Sequence, residues 1–153
     1  MVSIKRTYSS DTDFQKLVSL LDQDLRIRDG AEHEFYAAYN KIDKIARALV
    51  AYKAGLAVGC GAIRKYSGET VEIKRMYVLP EVRRQGIAGA VLKELEDWSR
   101  ELGFVEATLE TGKKQPEAIR LYEKSGYSVI PNYGQYANVE NSVCMKKVIR
   151  SPG

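Results

Sequence analysis

Between Met76 and Gly89 the chain reads Met76-Tyr77-Val78-Leu79-Pro80-Glu81-Val82-Arg83-Arg84-Gln85-Gly86-Ile87-Ala88-Gly89. This is an apolar strand, a proline-marked exit, and a basic turn that opens into a long amphipathic helix. That arrangement binds a pyrophosphate. Backbone N–H groups at a helix start lack intrahelical acceptors, and the helix dipole adds partial positive charge there. Gly86 and Gly89 let an oxyanion approach the main chain with no Cβ in the way, and Arg83 and Arg84 attract it from a distance. The turn is not a P-loop, since no G-x-x-x-x-G-K-[ST] occurs, and its glycines do not fit G-x-G-x-x-G.

The elements that must position this turn follow from pattern. Val2–Thr7 alternates as a first strand. Ser10 or Asp11 can cap a helix whose apolar residues Phe14, Leu17, Val18, Leu21 and Leu25 recur at helical spacing. The run Arg26 to Gly30 is expected to break it, and a second helix is expected from Glu32 to about Arg47, with Phe35, Tyr39, Ile42 and Ala46 on one side. Ala48–Lys53 and Leu56–Lys65 read as strands joined by a hairpin turn at Ala54-Gly55. A strand from Thr70 to Val78 follows a turn at Ser67-Gly68. The helix after the basic turn carries Val91, Leu92, Leu95, Trp98 and Leu102 on one face and stops at Gly103. Phe104–Thr111 is a strand, Pro116 opens a helix that Gly126 closes, and Tyr127–Ile130 and Ser142–Val148 are the last strands. The order β-α-α-β-β-β-α-β-α-β-β is that of one α/β domain over residues 1–150, with about four helices and a tail at 151–153.

Composition narrows the class. A chain of 153 residues, 44% hydrophobic and 29% charged, is that of a soluble globular domain with its own core. Its net charge of +4 suits an anionic ligand, while no Lys/Arg run is dense enough for a nucleic-acid face. No apolar leader or membrane-length stretch occurs, so a cytoplasmic protein without membrane contact is expected. Cys60 and Cys144 lie far apart in apolar runs, as two buried free thiols rather than a disulfide or metal pair. With His33 the single histidine, histidine triads and clustered histidine metal sites are excluded, and no metal is expected.

The run R-x-x-G-x-A at Arg83, Gly86 and Ala88 resembles the Q/R-x-x-G-x-G/A signature of the GNAT (Gcn5-related) N-acetyltransferases. The stretch Gln115-Pro116-Glu117-Ala118-Ile119-Arg120-Leu121-Tyr122-Glu123-Lys124-Ser125-Gly126-Tyr127 is similar to the late motif of that family, N-x-x-A-x-x-L-Y-x-x-x-G-F/Y, with glutamine in place of the usual asparagine. The element order matches the family fold over nearly the whole chain. The resemblance implies a mixed central sheet splayed between its fourth and fifth strands, with acetyl-CoA as cosubstrate. Its pantetheine arm would enter the opening beside Met76, Tyr77 and Val78. Its pyrophosphate would lie on Arg83, Arg84, Gln85, Gly86, Ile87, Ala88 and Gly89, with a further contact from Gln115, one methylene longer than asparagine.

Acetyl transfer to an amine must hold the thioester, deprotonate the amine, stabilise an oxyanion and protonate the leaving thiolate. The family places its tyrosine near the cofactor sulfur, which makes Tyr122 the acid. A phenol with a pKa of about 10 stays protonated at neutral pH. For the base, Glu72 precedes Arg83 by eleven positions, where some relatives carry a glutamate that acts through a water; Glu110 on the next strand competes. Period-two alternation puts Glu72, Lys74, Met76 and Val78 on one face and Arg75 and Tyr77 on the other, unless a bulge reverses it. The oxyanion donor is expected to be a backbone N–H around Tyr77 or Val78.

On the acceptor side, Arg26 and Arg28 fall in a region that covers the pocket in this family. Lys74 is expected to face the same pocket and Glu110 to sit across the splay from Glu72, while Tyr133, Tyr136 and Asn132 fall in the loop before the final strand, which borders the acceptor site in many relatives. A positive pocket favours an amine that also bears a carboxylate or phosphate, such as an amino acid. The expected activity is acetyl transfer from acetyl-CoA to a small-molecule primary amine, directly within a ternary complex, since neither cysteine lies in a cofactor motif. A protein or peptide amine is the alternative acceptor, and a non-catalytic acyl-CoA sensor the alternative class. By analogy with relatives, a two-fold homodimer through Val143 to Val148 is expected.

Overall fold

The computed structural model describes residues 2–29 and 47–150, apart from the side chains of 27–29. In chain order the elements are β1 (Val2–Tyr8), α1 (Thr12–Asp29), β2 (Arg47–Lys53), β3 (Leu56–Ser67), β4 (Thr70–Val78), α2 (Ile87–Glu101), β5 (Glu106–Gly112), α3 (Pro116–Lys124), β6 (Ser128–Ile130) and β7 (Ser142–Val148). Short 3-10 turns cover Pro80–Val82 and Gly134–Tyr136. The strands form one seven-stranded sheet in the order β1-β2-β3-β4-β5-β7-β6. β4 and β5 run parallel and the other neighbours are antiparallel. Parallel neighbours need a crossover, and α2 supplies it.

Local chemistry explains the boundaries. Asp11 caps α1, its Oδ1 accepting the Phe14 amide at 3.0 Å. Ala54 and Gly55 both take positive φ, 53° and 81°, as the tight β2–β3 hairpin requires. α1 does not break at Arg26; it continues to Asp29, because nothing in Arg26-Ile27-Arg28-Asp29 opposes helix until Gly30. Arg26 and Arg28 therefore belong to the end of α1 rather than to a loop. The second helix expected from Glu32, with Phe35, Tyr39 and Ile42, lies outside the described residues, as does His33.

Two apolar clusters sandwich the sheet. Leu49, Ile73, Val78, Ile87, Val91, Leu92, Leu95, Leu109, Tyr122 and Met145 belong to one, which joins α2 and α3 to the strands. Phe14, Leu17 and Leu21 of α1 pack with Val50, Cys60 and Tyr77 in the other. Leu102, expected on the apolar face of α2, is 40% exposed, since the helix ends at Glu101 and Leu102 is already its cap. Cys60 and Cys144 are free and buried, as expected. β7 lies between β5 and β6, so Val143 to Val148 is an interior strand and the sheet edges are β1 and β6. No helix among the described residues is long and apolar enough to cross a membrane.

Candidate active site

The site begins where β4 leaves β5. Three rungs join them, Thr70 to Glu106, Val71 to Ala107 and Glu72 to Thr108, and none follows. Beyond Glu72 the strands part. β4 bends there because it carries an extra residue: Lys74 pairs with Ala62 and Tyr77 with Cys60, so Arg75 and Met76 together oppose Gly61. Arg75 adopts φ of 60°, and its carbonyl accepts the Cys60 thiol at 3.3 Å. Such a bulge sharpens local bend and twist.

The bulge corrects the expected alternation. Met76 and Val78 do not share a face with Glu72 and Lys74; they join Ile73 against the α2 cluster, while Tyr77 turns to the α1 cluster. Gly61 makes this packing possible. A Cβ there would stand 2.7 Å from Leu95 Cδ1 and 2.9 Å from Met76 Sδ. Arg75 reaches the other way, to Asp22 of α1 at 3.4 Å.

The opening holds a cavity of about 120 Å³. It gathers Glu72, Lys74 and Met76 from β4, Glu110 from β5, and Gln115 and Tyr122 from the start and middle of α3. Leu21 and Leu25 of α1 and Tyr136 form further wall. Arg26 is exposed and does not line it, and the Arg28 side chain lies outside the described residues. Among the described residues the lining carries both signs, Glu72 and Glu110 with Lys74 and Arg75.

Glu72 is fully buried, and both its oxygens are engaged. Arg64 Nε donates to Oε1 at 2.8 Å and Tyr133 Oη to Oε2 at 2.7 Å. Burial, and then the Glu72 charge, hold the Tyr133 phenol far above its ordinary range. Tyr133 packs edge-on against Tyr66 and Tyr136, with centroids 4.9 and 5.8 Å away. Asn132 Nδ2 donates to the carbonyls of Val139 and Ser142, both at 3.1 Å, which ties this loop to itself. Lys74 Nζ donates to Tyr136 Oη at 3.3 Å. Ser142 Oγ donates to Glu110 Oε2 at 2.6 Å.

Tyr122 is buried, and burial followed by the Glu110 charge raises its phenol pKa above the ordinary 10.0. The phenol therefore stays protonated through the neutral range. Both thiols are held protonated: burial pushes Cys60 up to about 12 and Cys144 up to about 11.

Beyond the cavity, β4 runs to the basic turn. Leu79 N–H bonds Val58 O at 2.9 Å, so antiparallel alternation turns the Val78 peptide groups away from β3, toward the opening. Arg83 Nε donates to the Val78 carbonyl at 2.9 Å, and its guanidinium lies 5.6 Å from the Tyr77 ring centroid. Arg83 thus braces the turn, while Arg84 is exposed at φ of 66°. Gln85 Oε1 accepts from Lys53 Nζ. Gly86 sits left-handed (φ 81°) at the cap of α2 and brings no side-chain cap bond. A Cβ placed at Gly86 or Gly89 meets no other part of the described residues within 4 Å, which leaves the space before the helix start open among them. An unpaired stretch of β4, an open helix start and a glycine cradle fit an extended thioester with a diphosphate.

Sequence pattern alone missed Arg64, Gly61 and Ser142. Arg64 was within reach, because a hairpin centred on Gly68 pairs 64 with 72. Gly61 depends on the bulge, and Ser142 on the β5–β7 pairing across a long sequence gap.

The described residues contain no group of three His, Cys, Asp or Glu placed to hold a metal ion. Residues 14–127 match the Acetyltransferase (GNAT) family. An IAA acetyltransferase of Azospirillum brasilense is 39% identical over 102 residues, 66% of this chain and 67% of that one. The uncharacterized N-acetyltransferase YjgM of Escherichia coli is 33% identical over 112 residues, 71% and 66% of the two chains. A solved Klebsiella pneumoniae structure assigned as an acyl-CoA N-acyltransferase superposes with a TM-score of 0.81 at 29% identity, covering 98% of this chain and 99% of that one. A GNAT acetyltransferase from Elizabethkingia anophelis, solved with acetyl-CoA bound, shares the fold at a TM-score of 0.70 and 17% identity, over 96% and 97% of the chains. On the family match and the splayed sheet together, this chain belongs to the GNAT acetyltransferase family.

Proposed function

We propose that this protein transfers the acetyl group of acetyl-CoA to the primary amine of a small molecule, by direct attack within a ternary complex. One observation carries the reading: the strand that leads from the glycine cradle also lines a cavity where Tyr122, Glu72 and Glu110 converge. When bound, acetyl-CoA supplies an activated acyl group. The amides at the start of α2 hold its diphosphate, so that remote binding energy becomes positioning at the cavity. The Val78 amide, turned to the opening, donates to the carbonyl oxygen where charge develops.

The hydrogen bonding supports a division of labour between the two carboxylates. Glu72 is pinned on both oxygens and holds the splay in shape. Glu110 faces the cavity near enough to Tyr122 for its charge to act on the phenol. Glu110 takes the proton from the acceptor ammonium, the neutral amine attacks, and Tyr122 gives its proton to the departing sulfur. The high thiol pKa values of Cys60 and Cys144 support transfer without an acyl-cysteine. A small acceptor suits a cavity walled by α1 and by the Tyr136 loop.

The test is free-thiol release from acetyl-CoA by the purified protein against amino acids, polyamines, aminoglycosides and short peptides. Amine-dependent release supports the reading. Acetyl-CoA binding with no release from any amine replaces it with a non-catalytic acyl-CoA sensor.

A further inference from the structure

The opening between β4 and β5 has two faces, and β5 alternates between them. Glu110 pairs with Cys144, which packs with Tyr133 and Tyr136 on one face. Leu109 belongs to the cluster of α2 and α3 on the other. Residues two apart share a face, so Thr111 follows Leu109. Its partner on β7, Val143, packs against that same cluster. Ile87, at the start of α2, and Tyr122 of α3 lie on this face too.

Thr111 lines the cavity and is 6% exposed, yet its hydroxyl has no hydrogen-bond partner among the described residues. Nor is the hydroxyl sealed off. Among the described residues, Asn141 Nδ2 is the one fully enclosed side-chain polar atom without a partner. The access that the Thr111 hydroxyl keeps is therefore from the cavity. A buried polar group is normally paired, and valine would fill this strand position as well. Gln115 N–H bonds Gly112 O at 3.0 Å, so the chain turns back directly after Thr111 and brings Gln115 to the same cavity. The Gln115 side chain makes no cap bond to α3. Two side chains that can each donate and accept thus line the cavity from β5 and the turn that follows it.

We propose that the Thr111 hydroxyl hydrogen-bonds an amide of the cofactor's pantetheine arm, on the edge that faces away from β4. This rests on the acetyl-CoA reading and adds a binding residue to it. The arm carries two secondary amides, whose N–H and C=O groups need partners when they leave water. β4 meets one edge with the Val78 peptide groups that turn to the opening. A hydroxyl on β5 meets the opposite edge. The proposed base, Glu110, stands on the other face of the sheet, so the acceptor is handled there and Thr111 falls to the cofactor.

The experiment is calorimetric titration with coenzyme A and, separately, with ADP, which carries the diphosphate but no arm. Thr111→Val keeps the β-branched shape and removes the hydroxyl, while Thr111→Ser keeps the hydroxyl. Loss of the bond weakens coenzyme A by about five- to twentyfold in Thr111→Val, and Thr111→Ser stays within about threefold of wild type. ADP binds both variants as it binds the unaltered protein, which also shows that each variant folds. Equal coenzyme A affinity in Thr111→Val and wild type, or an equal loss for ADP, overturns the proposal while the acetyl-CoA reading stands. No binding of coenzyme A by the unaltered protein overturns that reading and the proposal with it. A hydroxyl-dependent affinity without acetyl transfer to any amine upholds Thr111 and overturns the enzymatic reading instead.

Discussion

Tyr133 gives its phenol hydrogen to Glu72 at 2.7 Å, and so ties the loop before β7 to the last residue of β4 that pairs with β5. Arg64, directly opposite Glu72 on β3, takes the other oxygen. Three elements therefore meet on one buried carboxylate at the point where the sheet opens. Substituting Tyr133→Phe leaves a buried carboxylate oxygen without this donor, at a cost of about 1–3 kcal/mol. Urea unfolding reads this as a lower midpoint with an unchanged slope. A midpoint equal to wild type means the bond contributes nothing.

Tyr122→Phe keeps the ring that packs 5.9 Å from Tyr127 and removes the hydroxyl proposed as the acid. The expected result is a fall in kcat of about a hundredfold or more, with acetyl-CoA affinity within about twofold of wild type. Steady-state kinetics and calorimetry separate the two. Unchanged kcat removes Tyr122 from the chemistry.

The two carboxylates are separated by pH. Glu110→Gln loses most rate at low pH, where the acceptor is protonated and needs a base, and regains part of it as pH rises toward the amine pKa. Glu72→Gln loses a buried charge opposite Arg64, so its defect shows in stability and is nearly uniform across pH. The pH–rate profile of each variant is the measurement; exchanged profiles assign the base to Glu72.

Gly61→Ala tests the bulge. Its Cβ would press on Leu95, Met76 and Val91 at 2.7–3.0 Å, and overpacking of this kind costs about 1–3 kcal/mol. Thermal melting checks it, and a neutral outcome means that the bulge region repacks freely.

Alkaline pH acts through the buried phenols. Burial first, then Glu110 for Tyr122 and Glu72 for Tyr133, raises both above the ordinary 10.0 in the folded state. Folding therefore favours the protonated phenols. Their contribution is complete below about pH 10 and is lost as pH rises toward the folded values. Denaturant midpoints at about pH 9 and pH 11 should differ, the second being lower. Equal midpoints contradict the shift.

Much of this fold could be read from residue order because its signals are local. Ala54-Gly55 marks a turn through positive φ, Asp11 a helix cap, and Gly86 a left-handed entry to α2. The same holds for the basic turn and for the Ala118, Tyr122 and Gly126 spacing, which resembles the family's late motif and puts Tyr122 in the cavity. What pattern could not give is set by non-local packing. The parity of Met76 and Val78 depends on one extra residue in β4, which Gly61 and α2 accommodate. The surroundings of the carboxylates are set the same way: Arg26 is exposed on α1, while Arg64, on β3 beside β4, pairs with Glu72. The place of β7 inside the sheet, between β5 and β6, is likewise set by pairing across a long gap that residue order does not reveal.

The most direct test of the central claim is mass analysis of a panel of small primary amines incubated with acetyl-CoA and the protein, compared with the same mixture containing Tyr122→Phe. The account predicts one acetyl group on the amine of at least one acceptor, formed in step with free coenzyme A and largely lost in the variant. Free coenzyme A without an acetylated amine, or an equal yield from the variant, contradicts it.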